Sequence, residues 1–427
     1  MMRWISLSLI LVLHAYPCTS QDSAHARHVL REWTNNGFPF AQVLDPCVHR
    51  DSLVLVPGEG WVWGTVELNQ DAQMDPDLFA RMSLLEKGAP VRLEDLEKSR
   101  RHLLRTSWFA EVSPAKLYRS PTRNQMIPFF RIRENRSGLV EGWMSLQEGE
   151  GFLGRVFAQF DNISGKGRSL QIQAESSKES RKAAFHYAEP YPLGWPFSVG
   201  VDGSIWNLDS TQSSAELFLG IGWQQNFEWS YTIASGVREV QSSDQRMTTY
   251  WGNLLIMRDG RDRLPLPRQG WMWDLDVGAG SPDSEEDPAK AKMQSSLAIW
   301  LPLVNRLGAG ITLESGTLWP RHANWLMPEL YPLAGEVLHS YWPGSLLSQS
   351  FVATSLELHW MLQEARFFAF ATGVRAEDVL GSWNWLGEYG FGWEQHGEGV
   401  GIDLRLAWSK KSSFGQGLIG VAIRTRF

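Results

Sequence analysis

From about residue 136 to the end, helical periodicity is absent, and short runs of alternating character recur every 15 to 20 residues with Gly, Asp, Asn or Pro between them. In Val400 to Ser409, Val400, Ile402, Leu404, Leu406 and Trp408 alternate with Gly401, Asp403, Arg405, Ala407 and Ser409. Phe351 to Trp360 repeats the pattern, with Val352, Thr354, Leu356, Leu358 and Trp360 against Ala353, Ser355, Glu357 and His359. Ala215 to Trp223 does so again, with Glu216 on the polar side. Alternation sends successive side chains to opposite faces of a strand, so each run is a strand with one apolar, aromatic-ended face and one small or charged face. Runs begin near residues 138, 151, 168, 181, 196, 212, 227, 247, 268, 291, 306, 350, 366, 381, 399 and 413.

Two architectures use such strands. A soluble sandwich turns the apolar faces inward over a shared core. A membrane barrel turns them outward into lipid, with aromatic girdles and a polar lumen. Alternation alone fits both. The even number of runs, the 22 Trp and the terminal Phe427 favour the barrel, since Trp suits a ring with one apolar and one wet end. The start of the chain points the same way. Arg3, the apolar run Trp4 to Leu13 and the small residues Cys18-Thr19-Ser20 read as a secretory leader, with Gln21 or Asp22 opening the mature chain. Pro17 fits a lipoprotein site at Cys18 poorly, and Cys47, then the single mature cysteine, has no intrachain disulfide partner. No mature stretch approaches the roughly 20 apolar residues of a spanning helix, so an exported chain that crosses a membrane must do it with closed strands. The expected fold class is a membrane all-β antiparallel barrel of about sixteen strands, with a small α+β region in front. Leader 1–20, front regions 22–60 and 61–135, and barrel 136–427 are the expected divisions.

The front region mixes periods. Ala24 to Asn35 reads as a helix ended by Gly37 and Pro39, and Asp51 to Val56 as a strand. Val62 to Leu68 alternates as a strand, Pro76 to Leu85 and Leu93 to Arg105 are spaced as helices, and Phe109 to Leu117 and Met126 to Ile132 are strands. A net charge of −7 gives no case for nucleic acid. No G-x-S-x-G, H-E-x-x-H or Cys-rich metal spacing occurs, so neither an enzyme nor a cofactor is expected. His186 and His359 read as lumen or interface residues.

Taken in series, these features resemble the BamA/TamA-like outer-membrane assembly and translocation family (bacterial surface antigen type), in which periplasmic POTRA units precede a sixteen-strand barrel. Residues 22–60, with Gly37-Phe38-Pro39-Phe40-Ala41, resemble the second half of a POTRA unit, and Val62 to Arg133 a complete one. Asp161 to Arg168, containing Gly165 and Gly167, resembles a family phrase between early barrel strands, although an ordinary tight turn reads the same. His186 to Pro190 resembles the next. The long segment 317–349 stands where the family has a loop folded into the lumen with an Arg-Gly-Tyr or Arg-Gly-Phe signature. Tyr341, Pro343 and Gly344 fit that signature, while His339 stands for its Arg and Ser340 for its Gly. The family's Arg pairs with an Asp two residues before a Gly on the thirteenth strand. Here Gly373 is preceded at that distance by Ala371, which alternation is expected to turn inward. Both ends of the ion pair are therefore replaced together, which avoids stranding one charge. His339 is expected either to bond an inward carboxylate, Glu388 or Glu357, and tighten on protonation near about pH 6, or simply to face water. Phe427, closing the final strand, resembles an outer-membrane sorting signal.

The resemblance implies a place in the bacterial outer membrane, with the N-terminal region in the periplasm. It implies a binding role: unfolded outer-membrane or secreted clients are taken up along POTRA strand edges and inserted or exported through the barrel or its seam. Periplasmic or lipoprotein assembly subunits and outer-membrane lipid are the implied partners. A channel or structural barrel that has lost insertase activity is the alternative, because the loop signature departs from the family.

Overall fold

A computed structural model describes the chain except residues 1–13, 18–19, 47–51, 107, 122, 136, 148–150, 178–179, 209–210, 244, 263–265, 285, 322–324, 342–343, 363–364, 379, 397–399, 411–416 and 427. Pro343, Phe427, Cys47 and most of the expected leader thus lie outside the described residues. The chain divides into two units, residues 1–104 with 109–134, and residues 105–108 with 135–427.

The first unit opens with β1 (His14–Pro17), α1 (Ser20–Thr34), β2 (Gln42–Pro46) and β3 (Ser52–Val56), the strands forming a sheet in the order β1-β3-β2. Removal of the expected leader would take β1 with it and leave β2 and β3 as a pair. There follow β4 (Val62–Trp63), β5 (Glu67–Leu68), α2 (Pro76–Met82), α3 (Leu93–Arg105), β6 (Phe109–Val112), β7 (Lys116–Arg119), β8 (Gln125–Phe130) and β9 (Ile132–Glu134). β4 and β5 run parallel to β8, and β7 antiparallel. The run expected as one strand over 62–68 is two short ones, with the break following Trp63. There Gly64 lies so close to β8 that a Cβ would sit 3.0 Å from Ile127 Cγ1. α2 starts where Asp75 accepts the N–H groups of Asp77 and Leu78 (2.8 and 3.2 Å). It stops at Met82, before the expected Leu85, and Leu84 takes a positive φ of 54°. Phe79 meets Phe109 and Phe130 edge-on at 5.8 and 5.7 Å in the core.

The second unit is one closed sheet. Its strands are β10 (Gly138–Gln147), β11 (Gly151–Ile163), β12 (Arg168–Ser176), β13 (Arg181–Pro190), β14 (Ser198–Asn207), β15 (Ser213–Gln224), β16 (Trp229–Gln241), β17 (Arg246–Asp259), β18 (Gly270–Pro282), β19 (Lys290–Val304) and β20 (Leu307–Trp319). After a loop carrying β21 (Tyr331–Pro332) and β22 (Leu347–Ser348) come β23 (Ser350–Met361), β24 (Ala365–Glu377), β25 (Trp383–His396), β26 (Val400–Ser409) and β27 (Leu418–Arg426). Every wall strand pairs antiparallel with the next, and β10 pairs with β27 to close a sixteen-strand barrel. The long loop starts after Trp319, not at Thr317, because Thr317 still pairs with Ser350 in the wall.

The outer face of this closed single sheet carries large apolar side chains with much of their surface uncovered. Leu217, Leu219 and Ile221 on β15, and Val352, Leu356 and Leu358 on β23, stand about half exposed there. Trp223, Trp229, Tyr231 and Trp273 cluster at one rim with ring centroids 5.2 to 6.3 Å apart. Such a face, apolar at mid-height and aromatic at the rim, is matched by hydrocarbon and its interface with water.

Candidate functional site

The loop between β20 and β23 returns into the barrel and is anchored at its base. Lys290, opening β19, reaches both carboxylate oxygens of Glu329 at 2.8 and 2.7 Å, and the two side chains are 1% and 0% exposed. Glu329 also accepts the N–H of Leu326 (3.0 Å), and Lys290 Nζ lies 4.7 Å from the centre of the Trp325 ring. β21 and β22 pair, and the Tyr331 hydroxyl donates to the carbonyl of Met293 at 2.9 Å. Above this base, Leu333 and Leu338 are buried against Phe351 and Ala353 of β23 and Val374 and Ala376 of β24, with Tyr341 packed alongside. This part of the inner wall is therefore apolar, where alternation had assigned small and charged side chains.

That packing corrects the expected phase of β24. Phe368, Phe370, Thr372 and Val374 are the buried, inward set, whereas Ala369, Ala371 and Gly373 are exposed on the outer face. Pairing fixes this independently: Thr372 sits opposite the buried Glu388, and Ala371 opposite the exposed Leu356 and Tyr389. Ala371 and Gly373 are thus not inner-wall residues. The inward position beside Glu388 belongs to Thr372, whose hydroxyl donates to Ser355 Oγ at 3.1 Å.

The loop tip meets Glu388 through its backbone. The Ser340 N–H donates to Glu388 Oε2 at 2.7 Å. The His339 ring instead stands edge-on to Phe370, with centroids 6.2 Å apart. Glu357 is engaged elsewhere, by Arg366 at 2.9 Å and His359 at 3.1 Å. Neither expected carboxylate is bonded by the His339 ring. Burial, with Arg405 and Arg155 nearby, lowers the His339 pKa from 6.5 to about 3. A loop released from the wall takes up the proton that the packed loop refuses. Packing is therefore at full strength above about pH 6.5 and weakens as the pH falls from there toward 3. This is the reverse of the expected tightening. Cleavage of the loop by added protease should rise between pH 8 and about pH 5, and His339→Leu should flatten that dependence. Protection at the lower pH would restore the tightening model.

Gly344 holds a positive φ of 85°, and a Cβ there would come within 3.0 Å of Leu208 and 3.2 Å of Ser180. Gly165 and Gly167, each at φ 72°, form the β11–β12 turn, where Gly167 N–H donates to Asn162 Oδ1 at 2.9 Å. Pro190 ends β13, opposite Ser198. These positions shape turns and the loop's path, and do not gather with His339 and Glu388.

A second arrangement was not foreseen from sequence. On the inner wall, carboxylates and arginines form a chain across successive strands. Glu357 of β23 pairs with Arg366 of β24, which pairs at 2.8 Å with Glu394 of β25. Glu394 lies 3.4 Å from Arg424 of β27, and Arg424 pairs with Glu141 of β10. The chain thus crosses the seam. Asp403 of β26 adds a contact to Arg424 at 4.0 Å, and Arg155 pairs with Glu175 one strand beyond β10. Between this wall and the loop tip lies a cavity of about 160 Å³, bounded by Gly335, His339 and Tyr341 on the loop side and by Glu141, Arg155, Asp403, Arg405, Gly420 and Ala422 on the wall. The alternation of Asp403, Arg405 and Arg424 was the available signal, but only closure of the barrel brings Glu141 beside a residue 283 positions away.

No protein-family model matches the chain, and no curated sequence does. Among solved structures, it is similar to CdiB from Escherichia coli (TM-score 0.66, 12% identity, covering 100% of this chain and 93% of that one). It is similar to CdiB from Acinetobacter baumannii (0.65, 12%, 96% and 82%). BamA from Haemophilus ducreyi lacking POTRA domains 1–3 is also similar (0.53, 13%, 95% and 94%). At these identities the likeness is one of fold.

Proposed function

We propose that this protein is an outer-membrane insertase or translocator for other polypeptides, with its α+β front region in the periplasm. The observation that carries the reading is the seam: a closed barrel whose first and last strands meet over a short ladder, from Leu139 opposite Arg426 to Leu146 opposite Ile419. That ladder has eight residue pairs, as many as β11–β12, β12–β13 and β26–β27 have and fewer than the thirteen of β16–β17. Among these equally short joints it is the one whose two strands no turn connects, so it can open without breaking a hairpin. An opened strand edge in lipid is a strong template, because unpaired backbone there costs several kcal/mol per group. The fold shared with BamA and CdiB, and the family resemblance of the sequence, support the same role.

Capture of clients falls to the front region, which we read as POTRA-like. β7 pairs with β8 on one side, and Tyr118 on it is half exposed. An extended client adds to such an edge by backbone hydrogen bonding. Periplasmic or lipoprotein subunits are the partners expected to deliver clients. A second reading, a channel or structural barrel without insertase activity, is favoured by one feature: the loop tip holds the wall by a backbone N–H to Glu388 in place of a side-chain ion pair.

Depletion of the protein followed by outer-membrane proteomics separates these readings. Selective loss of other barrels supports insertion, and loss of one secreted protein supports translocation. An unchanged protein inventory with altered solute uptake means a channel, and overturns the proposal.

A further inference from the structure

The ion pair that crosses the seam has further carboxylate partners on the β27 side. Arg424 of β27 holds Glu141 of β10, but it also lies 3.4 Å from Glu394 and 4.0 Å from Asp403, which stay on its own side when the seam parts. Glu141 lines the seam cavity together with Arg155 of β11, which stays on Glu141's side and is itself paired with Glu175. Opening the seam therefore separates one ion pair and leaves Arg424 with carboxylates still beside it, so that it is not a lone buried charge, which would be costly. Small residues back this joint: Gly420 and Ala422 of β27 border the cavity. On the outer face of β27, Ile419 and Ile423 stand half exposed to lipid. The edge of β27 thus presents aliphatic residues on its outer face and, on its inner face, the small residues Gly420 and Ala422 and the Arg424 cation.

We propose that Arg424 sets which strands this edge accepts. This rests on the seam reading given above. A strand that replaces β10 docks antiparallel on β27, with apolar residues facing lipid and one inward residue in the place of Glu141. A carboxylate there rebuilds the closed-state pair. A neutral residue is tolerated, because Glu394 and Asp403 already balance Arg424. A Lys or Arg is rejected, because it faces Arg424 directly and like charges at an interface repel. The preferred client strand is acidic or neutral at that register, and the selection works mainly by exclusion.

The full chain in lipid nanodiscs tests this, using a variant that combines Cys47→Ser with Thr425→Cys, and synthetic peptides of the sequence of residues 138–147. Val140 and Thr425 are directly paired across the seam, and the Cα atoms of directly opposed antiparallel residues lie within disulfide reach. Peptides in which Cys replaces Val140 are offered with Glu, Gln or Lys at the position of Glu141. The mixed disulfide formed with the thiol introduced on β27 is measured. The Glu and Gln peptides should couple about tenfold better than the Lys peptide. Adding Arg424→Glu to the protein should reverse the order of Glu and Lys. Coupling that ignores charge, or an order that Arg424→Glu leaves unchanged, overturns the role of Arg424 while leaving strand exchange at the seam intact. No coupling by any peptide overturns both, since the seam then does not exchange strands.

Discussion

Glu329→Ala should free the long loop from the barrel and cost about 3–5 kcal/mol in the anchoring of that segment, the range found when one partner of a buried ion pair is removed. The size follows from burial. Lys290 and Glu329 are 1% and 0% exposed, so without the carboxylate the ammonium must either stay unpaired or give up its proton, in a place where water does not reach it. The Met247 sulfur at 3.4 Å and the Trp325 ring at 4.7 Å remain beside it, and Asp287 acts on it electrostatically, but none of these makes the paired contact that Glu329 does. The Leu326 N–H also loses its acceptor. Cleavage by chymotrypsin at Trp325, Tyr331 and Tyr341 reports the release. The double variant Lys290→Met, Glu329→Leu provides the decisive comparison, because replacing both charges by apolar groups of similar volume is often neutral or stabilising. Protection in the double variant and cleavage in the single one would identify the stranded charge as the cause. Equal cleavage in both would mean that the pair itself, and not the avoidance of an orphan charge, holds the loop.

Much of the barrel is legible in sequence because its wall is periodic. Val352, Leu356 and Leu358 lie outside, and Glu357 and His359 inside, as their alternation requires. Closure explains why the apolar faces need no second sheet. Legibility ends where both faces of a strand are apolar. In Phe367-Phe368-Ala369-Phe370, aromatic residues occur on both phases, so alternation no longer distinguishes lipid from lumen. Only the register, with Phe370 opposite Glu357 and Thr372 opposite Glu388, sets the phase. The inner Phe residues have partners of their own: Phe368 and Phe370 pack with Ala407 beneath the Arg405 guanidinium, and Phe370 also meets the His339 ring. Trp251 misleads similarly. Trp251 is buried on the inner face, 5.7 Å from Arg238 and 5.6 Å from Lys292, whereas Trp408, opposite the exposed Tyr389, keeps the outward phase its alternation assigns. The loop anchor has no local signal at all. Lys290 and Glu329 are 39 residues apart and belong to no common period. Likewise, the family-like position of His339 is recognisable, but the atom that meets Glu388 is a backbone N–H, which no residue identity encodes.

The phase of β24 can be decided by one charge. Ala371 lies mid-strand between Leu356 and Tyr389, which are 54% and 51% exposed on the outer face. Ala371→Arg therefore puts a guanidinium against hydrocarbon, which for arginine near the bilayer midplane costs about 2–4 kcal/mol. Equilibrium unfolding of the barrel in lipid vesicles, by denaturant titration, measures this. Gln173→Arg is the matched control. Gln173 lines a lumen-side cavity of about 250 Å³ with Gln171, Lys182 and His186, so an added cation there stays hydrated and should change stability by no more than about 0.5 kcal/mol. If Ala371 faced the lumen, as alternation read from the Gly373 end implied, the two variants would behave alike. A large loss at 371 with little change at 173 instead requires that the outward side of this strand meets lipid. The inward side then carries Phe370 and Thr372, and with them the contacts to His339 and to the wall around Glu388. The same experiment thus tests the membrane-facing surface and the geometry of the loop site together, because both follow from a single choice of phase.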